Sequence, residues 1–293
     1  MQWERTITEI LWGLLHHNRA ACYFAWFRGN VTAERKSTSA DKRACDESKM
    51  NNTGIYIQLQ KAFARLADEN SLQLERLEIQ ARSLSPREAI GNPGGEDYPI
   101  LKGKERMMEA TFRSAKGHAF SDMTGQWSGS IEDVLQIKMA YNFHRAIFVA
   151  SLNAVMRSLG LIEGTVHCRD DGPARCGIEC ARTLAKEYPN ARILLVGHQP
   201  RLLEQLSKRF TVAAVDMDED NIGKTFSGVS IDGPEETERL AARSDLLLVT
   251  GTALVNDTIQ TFLEQKKPVI FYGVSIAGAA QILGLRRFCP FGL

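Results

Sequence analysis

Residues 192–216 read RILLVGHQPRLLEQLSKRFTVAAVD, and this stretch decides the fold. Ile193 to Val196 is an uninterrupted apolar run of strand length, the pattern of a strand covered on both faces. It stops at Gly197. Leu202 to Phe210 then takes helical spacing, and Thr211 to Asp216 is a second strand. The alternation continues downstream with a helix over 235–243, a strand over 245–251, a helix over 255–265, a strand over 268–273 and a helix over 276–285. Strands that end in glycine-bearing or polar turns and lead into helices predict an α/β fold with a mostly parallel, doubly wound sheet and right-handed crossovers.

Upstream the pattern changes. Trp3, Ile7, Ile10, Leu11, Leu14 and Leu15 recur at helical spacing, and the polar, mixed-charge stretch from Arg28 to Met50 reads as a linker or arm. Ile57, Leu59, Phe63 and Leu66 mark a helix, and the alternation from Leu72 to Ala81 fits a half-buried strand. Met108, Ala110 and Phe112 predict another strand ending near His118. The glycine-rich segment 117–129 follows as a loop, and Ser130 with Asp133 forms a capping box. A helix from Phe143 to Leu159 stops at Gly160. Strands followed by helices suggest a small α+β lobe. The expected organisation is an N-terminal extension over 1–53, an α+β domain over 54–140, and a Rossmann-like domain with its linking helix over 141–293.

Length and composition bound the function. At 293 residues the chain is long enough for about two domains. Lys+Arg 36 against Asp+Glu 35 leaves a formal charge of +1, so no polyanionic partner is implied and nucleic acid is not expected. The early apolar stretch Ile7–Phe27 is broken by Glu9, His16, His17, Asn18 and Arg19, so neither a membrane span nor a signal peptide is expected. Six cysteines without framework spacing suggest a reducing, cytoplasmic setting.

In a doubly wound sheet the ligand lies beyond the carboxyl ends of the strands. Those ends supply Gly197, His198, Gln199, Asp216, Asn221, Gly251, Thr252, Asn256, Gly273 and Ser275, and the 117–129 segment with Asp122 is expected to contribute to the same cleft. Asp216 follows Gly197 by about twenty residues, the spacing at which an acid meets ribose hydroxyls, yet no G-x-G-x-x-G is present and Pro200 stands in its place. Asp216, Asp218, Asp220 and Gly223 do not fit a calcium loop, which needs its glycine sixth and a glutamate twelfth. A second constellation is His167, Cys168, Cys176 and Cys180. Pro173 can open a helix that puts Cys176 and Cys180 on one face, offering soft ligands to a transition or heavy metal ion, against the ordinary role of cysteine in packing.

The segments GHAFSDMTGQWSGSIEDVL (117–135), LNAVMRSLGL (152–161), TVHCRDD (165–171), ILLVGHQPRLLEQL (193–206), VDMDEDNIGK (215–224), LLLVTGTALVNDTI (246–259) and KPVIFYGVSIAGAAQILGLRRFCPFG (267–292) together resemble a bacterial and archaeal family described as putative heavy-metal chelation, a domain of unknown function. The resemblance covers about residues 55–293. It implies an enolase-N-terminal-like first domain, a Rossmann-like second domain and a site in the cleft between them. It also implies a role in handling metals or metal-bearing small molecules.

The reading preferred on these grounds is binding of a metal ion or metal-bearing small molecule in the cleft. The alternative is an enzyme using a nucleotide-type cofactor, S-adenosylmethionine or NAD, on a modified Rossmann site. A homodimer is compatible with both.

Overall fold

The computed structural model describes residues 39–74, 79–93, 97–102, 105–123 and 125–293. The helix expected between Trp3 and Leu15 lies outside them. Ile55–Leu293 forms one compact unit, separate from Met1–Gly54.

Helix α1 spans Ser39–Glu69. The polar stretch expected as linker is therefore helical from Ser39 on, as a run without glycine or proline up to Thr53 allows. A short 3₁₀ turn at Leu72–Leu74 replaces the first half of the next expected strand. Strand β1 (Ile79–Leu84) is followed by helix α2 (Pro86–Ile90), β2 (Arg106–Phe112), β3 (Ala115–Ser121) and β4 (Trp127–Gly129). These strands form an antiparallel sheet in the order β3-β2-β1-β4. The segment 117–129 is thus not a loop, since its first five residues belong to β3 and its last three to β4. Gly117 misled the reading because its purpose is approach rather than turning. A Cβ there would lie 2.3 Å from the Ala150 carbonyl oxygen and 2.4 Å from the Ala154 nitrogen.

Helix α3 (Ile131–Leu135) opens with the expected box: Ser130 Oγ accepts the Asp133 N–H, and Asp133 accepts the Ser130 N–H at 2.8 Å. Helix α4 (Asn142–Ser158) is buried at every residue from Arg145 to Met156, so it is a core helix rather than an amphipathic one. It packs on β2 and β3 and on helix α10 (Ala277–Leu283).

The remainder is helix α5 (Gly172–Glu187), β5 (Arg192–Val196), α6 (Pro200–Ser207), β6 (Thr211–Val215), β7 (Thr225–Phe226), β8 (Val229–Asp232), α7 (Thr237–Arg243), β9 (Leu246–Thr250), α8 (Thr252–Val255), α9 (Gln260–Leu263), β10 (Val269–Tyr272), α10 and β11 (Arg287–Phe288). The second sheet runs β11-β10-β9-β5-β6-β8-β7, parallel except for the β7–β8 hairpin. The expected helix over 255–265 is instead two short helices, because the chain breaks at Asp257, which holds φ +59. The strands β7, β8 and β11 were not foreseen.

Two cores cover this sheet. Leu194, Val215, Leu247, Val249 and Phe271 join α4 and the antiparallel sheet in one cluster. Ile193, Leu195, Leu246, Leu248 and Ile270 pack with Leu184 of α5 and Leu202, Leu203 and Leu206 of α6 in the other. Alternate residues of each strand thus face opposite cores, which is why the strands read as continuous apolar runs.

Candidate functional site

The chain leaves β5 toward β6 on one side and returns to β9 on the other, so the sheet order reverses between β5 and β9. The carboxyl ends of these strands are where an open α/β sheet receives its ligand.

At this point Gly197 holds φ +88, and a Cβ there would lie 2.8 Å from Thr250 Cγ2 and 3.0 Å from the Tyr272 hydroxyl. That hydroxyl donates to the Gly197 carbonyl at 2.8 Å. His198 is buried, its ring against Phe226 with centroids 4.3 Å apart, and its backbone N–H donates to Asp216 Oδ2. The other Asp216 oxygen accepts the Asp218 N–H at 2.7 Å. Asp216 therefore shapes both turns.

Gln199 caps α6 with its own side chain, accepting the Leu202 N–H, and Pro200 occupies the first turn. The position a phosphate would take at this helix start is filled from within the chain. Thr250 Oγ1 accepts the Thr252 N–H at 3.3 Å and lies 3.2 Å from the Thr252 hydroxyl.

A second group forms the rim. Asn142, at the start of α4, donates to Asp122 Oδ1 at 2.7 Å and to Asn256 Oδ1 at 3.3 Å, while Asn256 Nδ2 lies 3.7 Å from Met217 Sδ. Buried Arg145 holds this chain from below: it donates to Asn142 Oδ1, to the Val255 carbonyl at 2.6 Å and to the Met139 carbonyl at 2.7 Å. Asp122, Asn256 and the Asp216 turn, each named from sequence, are thus joined, and the joining residues Asn142, Arg145 and Met217 were missed. No sequence motif marks Asn142; only its place before a buried helix would have suggested it.

Glu105 was also missed, hidden in the charged run KGKERM. Burial, Asp216 and Asp218 push its carboxyl up to about 7. Asp216 and Asp218 therefore lie within electrostatic range of Glu105.

Other expected residues serve the fold. Ser275 is buried and its hydroxyl accepts the Phe120 N–H at 2.9 Å, tying the β10 turn to β3. Gly251 donates to the Tyr272 carbonyl at 2.8 Å, and a Cβ there would crowd the Ile276 nitrogen at 2.9 Å. Gly273 takes φ +93, and its carbonyl accepts Arg287 Nε at 2.9 Å. Asn221 is buried in the turn after β6, and its Nδ2 finds no hydrogen-bond partner among the described residues.

His118 sits inside β3 opposite Glu109 of β2. Its Nδ1 accepts the His167 N–H at 3.2 Å and its Nε2 lies 3.1 Å from Glu109 Oε2. With Nδ1 accepting, the proton on Nε2 is the one directed at Glu109. Glu109 is held below the usual carboxylate range, first by His118 and then by Lys116.

The His167/Cys168/Cys176/Cys180 set is only partly assembled. Cys176 and Cys180 do share a face of α5. The His167 ring packs edge-on to Phe120 with centroids 5.4 Å apart, and its Nδ1 donates to the Cys168 carbonyl at 2.6 Å. Burial holds His167 at about 4, so the ring is neutral. Among the described residues, no group of three or more His, Cys, Asp or Glu side chains is placed to hold a metal ion. Two open cavities, of about 350 and 310 Å³, are lined by Gly160, Ile162 and Glu163 with parts of α10 and the segment 292–293, and by none of the strand-end residues.

Comparison with known proteins agrees with the resemblance read from the sequence. Residues 181–286 match the model of the DUF364 family, described as putative heavy-metal chelation. No curated protein matches. Similar solved structures include the following. One is a DUF364-family protein of unknown function from Pyrococcus horikoshii, with 14% identity over 74% of this chain and 78% of that one and a TM-score of 0.48. The other is a DUF364-family protein of unknown function from Desulfitobacterium hafniense DCB-2, with 13% identity, 61% and 72% coverage and a TM-score of 0.45. Among the described residues no helix is long and apolar enough to cross a membrane.

Proposed function

We propose that the carboxyl ends of β5, β6 and β9 bind a small ligand carrying positive charge, such as a metal ion complexed by an organic chelator. One observation carries this reading: Asp216 and Asp218 help push the Glu105 carboxyl up to about 7. A cationic group placed beside them relieves the like-charge repulsion and favours the ionised form of Glu105. Asp122, Asn142 and Asn256 supply a polar rim from which such a ligand can be oriented. The family description, with its reference to heavy metals, supports the same charge.

The donors here are hard carboxylate oxygens, and Met217 is the soft atom nearest the rim chain. They suit a coordinated or organic cation better than a bare thiophilic ion. The nucleotide reading has one point in its favour, the position of Asp216 at the reversal of strand order. Against it stand Gln199 and Pro200 at the start of α6, and the two backbone N–H groups that Asp216 already accepts.

Calorimetric titration of the full chain with Co²⁺, Ni²⁺ and Zn²⁺, free and as amine complexes, tests the proposal. Binding is expected for at least one, and Glu105→Gln combined with Asp218→Asn is expected to weaken it about tenfold or more, equal to about 1.4 kcal/mol. Equal affinity in the double variant would remove the proposal.

A further inference from the structure

The loop over 160–164, GLIEG, stands between two cavities that the strand ends do not line. Gly160 closes α4 with φ +68, and the Leu161 N–H returns to the Met156 carbonyl at 3.0 Å. Gly164 ends the loop with φ +64. Arg287 of β11 holds this end: its Nε donates to the Gly273 carbonyl at 2.9 Å, its Nη1 to the Glu163 carbonyl at 3.1 Å and its Nη2 to the Gly164 carbonyl. With both ends fixed, the loop leaves Leu161 and Glu163 exposed.

Arg157, Ile162, Glu163 and Leu293 line the cavity of about 310 Å³. Leu161, Ala277, Ala280 and Leu285 line the one of about 350 Å³. Gly160, Ile162 and Glu163 belong to both walls, so the cavities adjoin. Together they reach the size of a small-molecule pocket, about 300–1,000 Å³.

The smaller cavity carries two opposite charges that do not meet. Arg157 Nη1 donates to the Thr165 hydroxyl at 3.2 Å and to the Leu293 backbone oxygen. Its Nε and Nη2 make no hydrogen bond among the described residues, and no Asp or Glu side chain among them pairs with it. That unused edge is the one that takes a carboxylate in two parallel bonds. Across the cavity wall the Glu163 side chain also makes no hydrogen bond or ion pair among the described residues; only its backbone carbonyl is held, by Arg287. Tied through Nη1, Arg157 is kept from closing onto Glu163. A simple anion would be drawn by Arg157 and opposed by Glu163, and a simple cation the reverse. A molecule carrying both charges satisfies both residues. Large apolar side chains stand open beside each cavity, Leu161 at 44% and Leu293 at 57% exposure, and they suit an apolar portion of the same molecule.

We infer that these cavities bind a free α-amino acid with an apolar side chain. Its carboxylate lies on the Nε/Nη2 edge of Arg157, its ammonium on Glu163, and its side chain along Ile162, Ala277 and Leu285. This site is separate from the strand ends and does not rest on the reading given for them.

The test titrates the full chain with L-leucine by calorimetry. Three relatives are run beside it: isocaproate, which lacks the ammonium, isoamylamine, which lacks the carboxylate, and glycine, which lacks the side chain. Leucine is expected to bind about tenfold or more tightly than each, since each has lost one charge-assisted contact or the apolar one. Arg157→Gln and Glu163→Gln are each expected to weaken leucine about tenfold or more. Arg157 also holds Thr165 and Leu293, so melting temperatures are taken for both variants; Glu163→Gln loses no bond within the chain and decides the matter if Arg157→Gln fails to fold. Absence of leucine binding, isocaproate or isoamylamine binding as tightly as leucine, or unaltered leucine affinity in Glu163→Gln would each overturn the inference.

Discussion

Asp216 accepts the backbone N–H of Asp218 at 2.7 Å, so the carboxylate that the strand-end spacing assigns to a ligand also builds its own turn. Its second oxygen takes the His198 N–H. A carboxylate has about four lone-pair sites and can still accept from a ligand, but only in the geometry these turns leave open.

Replacing Asp216 should therefore cost stability before it costs binding. Asp216→Ala removes an acceptor from two backbone donors and is expected to destabilise by about 2–4 kcal/mol, whereas Asp216→Asn, which keeps an acceptor, should cost less than half of that. Urea unfolding of both variants decides it. Equal midpoints for Ala and Asn would show that the carboxylate does not hold the turns.

Glu105 gives a pH signature of known sign. Its folded pKa, about 7, lies above the value of 4.5 of a free side chain, so the folded state favours the protonated form. Its contribution is complete below pH 4.5 and is lost as pH rises through 7. Glu105→Gln should then match the parent near pH 5 and be more stable near pH 8, by up to about 3 kcal/mol. Melting temperatures at both pH values measure this, and a constant difference between them would contradict the assignment.

Glu109 behaves in the opposite sense. Its pKa is depressed, chiefly by the bond from His118, so its stabilisation is present above pH 4.5 and disappears as pH falls through the lower folded value. Glu109→Ala leaves His118 buried without its acceptor and is expected to cost about 3 kcal/mol at pH 7. Acid unfolding followed by circular dichroism should show the parent losing more stability below pH 4.5 than the variant does.

Gly117 is fixed by backbone contact with α4. Gly117→Ala would drive a methyl against the Ala150 carbonyl and the Ala154 nitrogen, neither of which can turn aside. A loss of about 2–3 kcal/mol or more is expected, at the upper end of overpacking costs. A variant as stable as the parent would mean that β3 and α4 can separate cheaply.

The parallel sheet was legible because burial on both faces removes ambiguity: Ile193 to Val196 and Leu246 to Val249 can be little else than covered strands. The antiparallel sheet was harder, since Gly117 serves close packing while it resembles a turn signal, and the β2–β3 turn at Arg113 takes φ +55 without glycine or asparagine. Short strands such as Thr225–Phe226 carry too few residues for any period. In the site, residues at strand ends could be named in advance because topology places them. Asn142, Arg145 and Glu105 could not, because each reaches its place through contacts between distant segments. Ser275 and Gln199 show the converse: both lie at strand ends, and their side chains bond within the fold.

The central claim, that the strand ends take a positively charged ligand and not a nucleotide, is tested most directly by thermal shift. The parent and Glu105→Gln/Asp218→Asn are compared against Co²⁺, Ni²⁺ and Zn²⁺, free and as amine complexes, and against NAD and S-adenosylmethionine at equal concentration. The account predicts a rise in melting temperature with at least one cation, lost in the double variant, and none with NAD. A rise with NAD that survives in the double variant, or cation shifts identical in both proteins, would contradict it.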